Sequence, residues 1–189
     1  MDKARKLVIF PVDQLYALVG NVTLDRDPYG ITLTDIFNER SALTHRQGDH
    51  EHHPGRIFLT DAELYSLHDN TRRVCTAITE VFIPLHQIRA AVDIHPEHYQ
   101  GNSEKRREAQ EREHRKRELL FVLHGHSVRG VADELEVYRK RDHFIGLTGV
   151  GIVEKPVTAA GLSLPEFLRH IACPPPDFMV VNLRSVIHS

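Results

Sequence analysis

The chain has 189 residues, 41% hydrophobic and 26% charged, with a formal net charge of −2. This composition fits a globular protein of one ordinary domain or two small ones, and it argues against a surface shaped throughout to hold nucleic acid. A single core of this length would bury roughly 70% of its extended-chain surface, and two halves nearer 60% each, so halves are expected to pack on each other or on another subunit.

The opening Met1-Asp2-Lys3-Ala4-Arg5-Lys6 is basic, but Asp13 and Gln14 interrupt the apolar run that follows. No signal-peptide core and no membrane span are expected, and cytoplasm is the default location. Leu7 to Phe10 and Leu15 to Leu24 read as strands. Pro11 between them suits an edge or a bulge, and Gly20 a bend. Asp25 to Gly30 is a turn. Thr32 with Asp35 resembles a capping box opening a short helical turn that buries Ile36 and Phe37.

Residues 46–55 form a polar loop containing Asp49-His50-Glu51-His52-His53. Imidazole and carboxylate are donors that zinc, nickel and copper accept, so His50, His52 and His53 are the candidate metal ligands. Their spacing is unlike a closed structural site, and adventitious zinc or nickel on a solvated loop is the plainer expectation. No bound cofactor is expected. Strands resume over 56–67 and 74–92, where alternation around Thr76, Ile78, Glu80 and Phe82 predicts a half-buried strand.

From Ser103 to Glu118 the only apolar residue is Ala109, and Glu108–Arg112, Glu111–Arg115 and Glu113–Arg117 stand acid before base at helical spacing. Each pair contributes only a few tenths of a kcal/mol, so this stretch reads as a solvated helical linker. Interleaved glutamates oppose a phosphate-binding role. His124-Gly125-His126 suggests a strand end or tight turn, and Gly149-Val150-Gly151 a bulge. Ser163-Leu164-Pro165-Glu166 has the cap, early proline and reciprocal acid of a helix start. Cys75 and Cys173 are expected as two buried thiols.

The chain also repeats itself. Val81 to Ala90 lies on Met179 to His188, Ile57 to Ala62 on Ile145 to Val150, and Leu7 to Leu24 on Leu120 to Val137, with Gly20 and Gly130 at mid-run. A duplicated small β module is the natural reading. The predicted helices break the parallel, since one precedes and the other follows its matching strand. The expected architecture is mainly β with short helices: a module over 5–95, a charged helical linker over 96–118, and a second module over 119–189.

The first half resembles a small bent-strand barrel of the Sm-like kind. Leu18 to Leu24 is similar to its glycine-bearing second strand, and Ile57 to Leu67 with Phe82 to Ala90 to its later strands. It is also similar to an uncharacterised bacterial family of tandem domains, through Leu33-Thr34-Asp35-Ile36-Phe37-Asn38 and Phe58-Leu59-Thr60-Asp61-Ala62. An Sm-like relationship implies RNA binding by a basic, ring-forming surface, and the basic glycine signature near the last strands is missing here.

No G-x-S-x-G elbow, no phosphate-binding G-x-x-x-x-G-K-[ST] loop and no G-x-G-x-x-G is present. The expectation is a non-catalytic scaffold or adaptor whose β modules bind a protein partner or further copies of the chain. Two alternatives stay open: a nucleic-acid-binding barrel pair, and a metal-dependent enzyme or sensor using the histidine-rich loop.

Overall fold

The computed structural model describes residues 4–13, 15–23, 33–38, 55–67, 73–95, 116–123, 126–133, 144–153, 164–173 and 176–187. The histidine-rich loop and residues 96–115 of the expected linker lie outside them.

The protein is mainly β. Its strands are β1 (Ala4–Pro11), β2 (Tyr16–Thr23), β3 (Arg56–Ser66), β4 (Arg73–Pro84), β5 (Ile88–Asp93), β6 (Lys116–Leu123), β7 (His126–Asp133), β8 (Phe144–Val153), β9 (Phe178–Asn182) and β10 (Val186–Ile187). Helix α1 spans 33–38, and helix α2 spans Leu164–His170. All ten strands join one open antiparallel sheet in the order β10-β6-β7-β8-β9-β5-β1-β2-β3-β4.

That order contains the same arrangement twice. The first five strands neighbour one another as fifth-first-second-third-fourth, and so do the last five. The registers agree as well. Leu7 faces Gly20 as Leu119 faces Gly130, and Ile57 faces Ile83 as Ile145 faces Val181. A register shift separates Val19 from Asn21 in β2, and another separates Arg129 from Val131 in β7. Beside these shifts the chain enters the left-handed region at Asp61 (φ 49°) and at Gly149 (φ 60°). Both fourth strands end in a 3-10 turn, Leu85–Gln87 and Leu183–Ser185. The first strands therefore match with Leu7 on Leu119, one residue ahead of the apolar run that the sequence suggests from Leu120. The fifth strands differ, for Ile88 lies opposite Pro11 whereas Val186 lies opposite Phe121.

Burial follows this plan. Leu7, Val8, Ile9 and Phe10 are all buried because β1 sits inside the sheet with apolar layers on both faces. Leu7 and Ile9 join one core with Ile57, Leu59, Ile83 and α1. Val8 and Phe10 join the other with Phe121, Ile145, Val181 and α2. A strand covered on both sides has no polar face, hence its unbroken apolar run. Phe167 of α2 seats its ring edgewise on Phe10 and Tyr65, at 6.2 and 5.6 Å, each contact adding about 0.5–1.5 kcal/mol to area burial.

Several expectations shift. Pro11 marks a bulge, as the register break between Phe10 and Pro11 shows, but on an interior strand and not an edge. Lys116 to Glu118 lie in β6, ahead of the boundary expected at Leu119. Neither cysteine is disulfide-bonded, yet only Cys173 is buried, and Cys75 is exposed on β4. The helices do occupy different connections, α1 between β2 and β3 and α2 between β8 and β9. Among the described residues no helix is long and apolar enough to cross a membrane.

Candidate assembly surface

The two ends of the sheet are unequal. At one lies β10, two residues long, and at the other β4, twelve residues long. Instead of one buried face, β4 is exposed at nearly every position from Arg73 to Glu80, with Ile78 partly covered. The half-burial expected from alternation is therefore absent: period two specifies which side chains share a face, not that anything covers it. Val74 is 53% exposed and Phe82 56%. Phe82 packs on Phe58 across the ladder at 4.7 Å between ring centroids. Arg56 places its guanidinium 5.3 Å from the Phe82 centroid, a cation–π contact partly shielding the ring.

The turn end of this hairpin is tied by polar groups. The Tyr65 hydroxyl donates to Glu63 Oε2 at 2.7 Å, and Arg73 Nη1 pairs with Glu63 Oε1 at 3.3 Å. Burial, reinforced by the Glu63 carboxylate, pushes the Tyr65 pKa up to about 12. Ala77 has φ 58°, a conformation L-residues adopt at a cost, and it sits where the β3–β4 register slips between Ala62 and Leu64.

The matching strand of the second run, β9, has a different environment. Its outer edge pairs with β5 of the first run, Val181 opposite Ala90 and Val180 opposite Ala91. Val180, the counterpart of Phe82, is 0% exposed. Phe144, the counterpart of Arg56, stacks on Phe37 of α1 at 4.9 Å. Asn38 closes the junction with two bonds to one residue: its Nδ2 donates to the Phe144 carbonyl at 3.0 Å, and its Oδ1 accepts the Phe144 N–H at 3.2 Å. Buried Asn182 donates to Ile88 O at 3.1 Å and accepts the Arg184 N–H at 3.0 Å.

Gly146 records the same contrast. A Cβ there would lie 2.6 Å from the Phe178 ring and 2.9 Å from Thr34 Oγ1 of α1. Its counterpart, Phe58, has a large side chain, packed on Phe82. The two runs thus share a backbone plan and differ in that one fourth strand has an outer neighbour and the other has none among the described residues.

Other polar groups serve the frame. Arg5 and Asp93 form a buried ion pair, with Arg5 Nε 2.9 Å from Asp93 Oδ2, and Asp93 Oδ1 also accepts the His95 N–H at 3.2 Å. Removing one partner would strand a buried charge. Arg89 Nε donates to Val122 O at 2.7 Å, and burial lowers its pKa.

The expected metal ligands His50, His52 and His53, like His98 and His124, lie outside the described residues. No group of three or more potential ligands is found among the described ones. His126 is buried, and its Nε2 accepts the Leu164 N–H at 3.3 Å, placing the first residue of α2. No catalytic residue is expected from the sequence; Phe58 is there one of the aromatic residues, with Tyr16, Tyr29, Tyr65 and Phe10, that could stack bases but are more often core, and Phe82 and Arg56 are strand residues without a site role. A signal was nevertheless present in the repeat, where Phe144, Gly146 and Val180 become Arg56, Phe58 and Phe82.

No protein-family model matches the chain, and no curated protein or solved structure does either.

Proposed function

We propose that the protein is a non-catalytic, cytoplasmic assembly module, built from two small bent-strand, barrel-like modules of Sm-like type, that binds protein through its open strand edge. The observation that carries this reading is the state of Phe82, more than half exposed on a long edge strand, while Val180 in the matching place is fully buried by a neighbouring strand. An exposed, long edge strand offers a row of main-chain donors and acceptors and pairs readily with another chain. Proteins that keep an edge solitary blunt it with charges, prolines, bulges or a cover. β4 has the slip at Ala77 and charges at Arg73 and Glu80, while Val81 to Ile83 has no charge, proline or slip. The charged segment 103–115 would then be a connector between the modules, with its acids and bases balanced against nucleic acid.

The test is the size of the protein in lysate. The wild-type chain is expected to elute well above monomer mass, and the double substitution Val74→Lys and Phe82→Asp to return it to monomer mass. A wild-type chain that elutes as a monomer, or an assembly indifferent to both substitutions, would remove the reading.

A further inference from the structure

We infer that His126 is a proton-sensitive latch on helix α2: its neutral imidazole holds the start of the helix on the sheet, and protonation releases it. This property is independent of whatever binds β4.

The latch is one hydrogen bond in a closed place. His126 opens β7, opposite Leu123 of β6, and is 5% exposed. Its Nε2 lies 3.3 Å from the Leu164 nitrogen. A backbone N–H can only donate, so Nε2 holds a free lone pair and the ring hydrogen of the neutral imidazole is on Nδ1. Nδ1 has no hydrogen-bond partner among the described residues. A second proton must go to Nε2, where it points at the Leu164 hydrogen. The acceptor becomes a donor, and an attraction becomes a repulsion in a site nearly closed to water.

The charged groups on the surrounding elements have other places. α2 has Glu166 in its first turn and Arg169 and His170 in its last, with His170 edgewise to Tyr65 at 6.4 Å. On β6 and β7, Glu118 pairs with Arg129, and Lys116 and Asp133 stand opposite each other at the far end of the ladder. On β5, Asp93 is paired with Arg5. Arg89 donates to Val122 O, so the charge bonded at this end of β6 is itself a cation.

The other end of α2 is fixed. Ala172 takes the left-handed conformation, φ 54°, and the Cys173 N–H donates to Leu168 O at 2.8 Å. Cys173 is buried, with its Sγ 3.9 Å from Asp93 O. Losing the His126 bond therefore frees the first turn while the last stays anchored. Leu164 and Phe167 then lift from the core, and Phe10 and Tyr65 lose the ring that covers them. A helix of seven residues is not stable in water without its packing, so the freed turn frays. Acid thus uncovers an apolar surface that neutral pH keeps closed.

The sign follows from the protons. The released form takes up one that the docked form does not, so docking is complete well above about pH 6.5, where a free imidazole is neutral, and weakens as pH falls.

The experiment is amide hydrogen exchange by NMR on the purified full chain between about pH 7.5 and pH 5. Protection at Leu164 and Leu168, corrected for the intrinsic rate, should fall about 30-fold, approaching tenfold per pH unit below about 6.5. Protection in β1 should not change. His126→Gln keeps an acceptor of similar reach that does not titrate, and it should hold Leu164 protected throughout. Glu166→Gln and His170→Gln should keep the wild-type dependence. If His126→Gln does not fold, the imidazole nitrogen shifts of the wild type decide the matter. They should report the Nδ1–H form at neutral pH and a protonation that coincides with the loss of protection at Leu164. Protection indifferent to pH in the wild type would overturn the latch. So would a dependence that survives in His126→Gln or vanishes in Glu166→Gln or His170→Gln, or an Nε2–H imidazole at neutral pH.

Discussion

Phe82 and Val180 occupy the same place in the two runs, so one substitution made at both separates a binding surface from a core. Consider aspartate at each position. A phenylalanine buries about 200 Å² when fully covered, so the exposed 56% of Phe82 leaves about 110 Å² open. Covering that area at ~25 cal/mol per Å² contributes about 2.8 kcal/mol to association. Phe82→Asp forfeits it, and the new carboxylate must also be dehydrated on contact, so the dissociation constant should rise at least ~100-fold. Folding loses the area already covered, about 90 Å² or about 2 kcal/mol, and with it the ring pair with Phe58 and the exposed cation–π contact with Arg56, about 1–2 kcal/mol more. For a chain of this length that lowers the melting temperature by roughly 6–16 °C. Val180→Asp places a charge at a site with 0% exposure. Its cost of more than about 4 kcal/mol is a large part of a typical total of 5–15. Thermal unfolding by circular dichroism and sedimentation velocity on both variants make the test. Phe82→Asp should fold and lose association, and Val180→Asp should unfold. If Phe82→Asp destabilised the fold as severely as Val180→Asp, or left association intact, the reasoning would fail.

Three further outcomes are expected. Gly149→Ala should cost about 1–2 kcal/mol in urea unfolding through backbone conformation alone, since φ is +60° and nothing lies within 4 Å of a Cβ there; a neutral result would mean the bulge relaxes. Asn38→Ala should cost about 1–3 kcal/mol by leaving the Phe144 N–H and carbonyl without their partner. Hydrogen exchange should then rise at Phe144, and unchanged exchange would place the junction's strength elsewhere. Tyr65 has its pKa raised from 10.0 to about 12 by burial and by Glu63. The folded state therefore holds the proton more tightly than the unfolded state. Its contribution is complete below about pH 10 and is lost as pH rises through about 12. Tyr65→Phe should remove that part of the alkaline decline in urea midpoint, and parallel declines in both proteins would contradict the assignment.

Much of the frame was legible in the sequence because the repeat preserves apolar pattern. Ile57 to Ala62 and Ile145 to Val150 superpose in register, as do the ends of the fourth strands with their 3-10 turns. The α2 start at Leu164 follows from its cap, proline and acid, and the Gly149 bulge from its G-x-G. Two things were not legible. Alternation in Thr76 to Phe82 gives the pleat but cannot tell a covered face from an open one, and β4 proved open. The order of strands across the sheet, above all β9 beside β5, depends on contacts between residues ninety positions apart such as Ala90 and Val181, about which local periodicity says nothing. Where the copies depart from each other, at Arg56 and Phe144 or Phe58 and Gly146, the sequence does register the difference in cover. It reads as divergence until the sheet order supplies the reason.

The most direct test of the account is the mass of the wild-type chain in lysate, by size-exclusion chromatography with immunodetection. Binding through β4 predicts elution well above the mass of one 21.6 kDa chain. It should fall back to that mass when Phe82 becomes aspartate. Elution at 21.6 kDa for wild type and Phe82→Asp alike would contradict it.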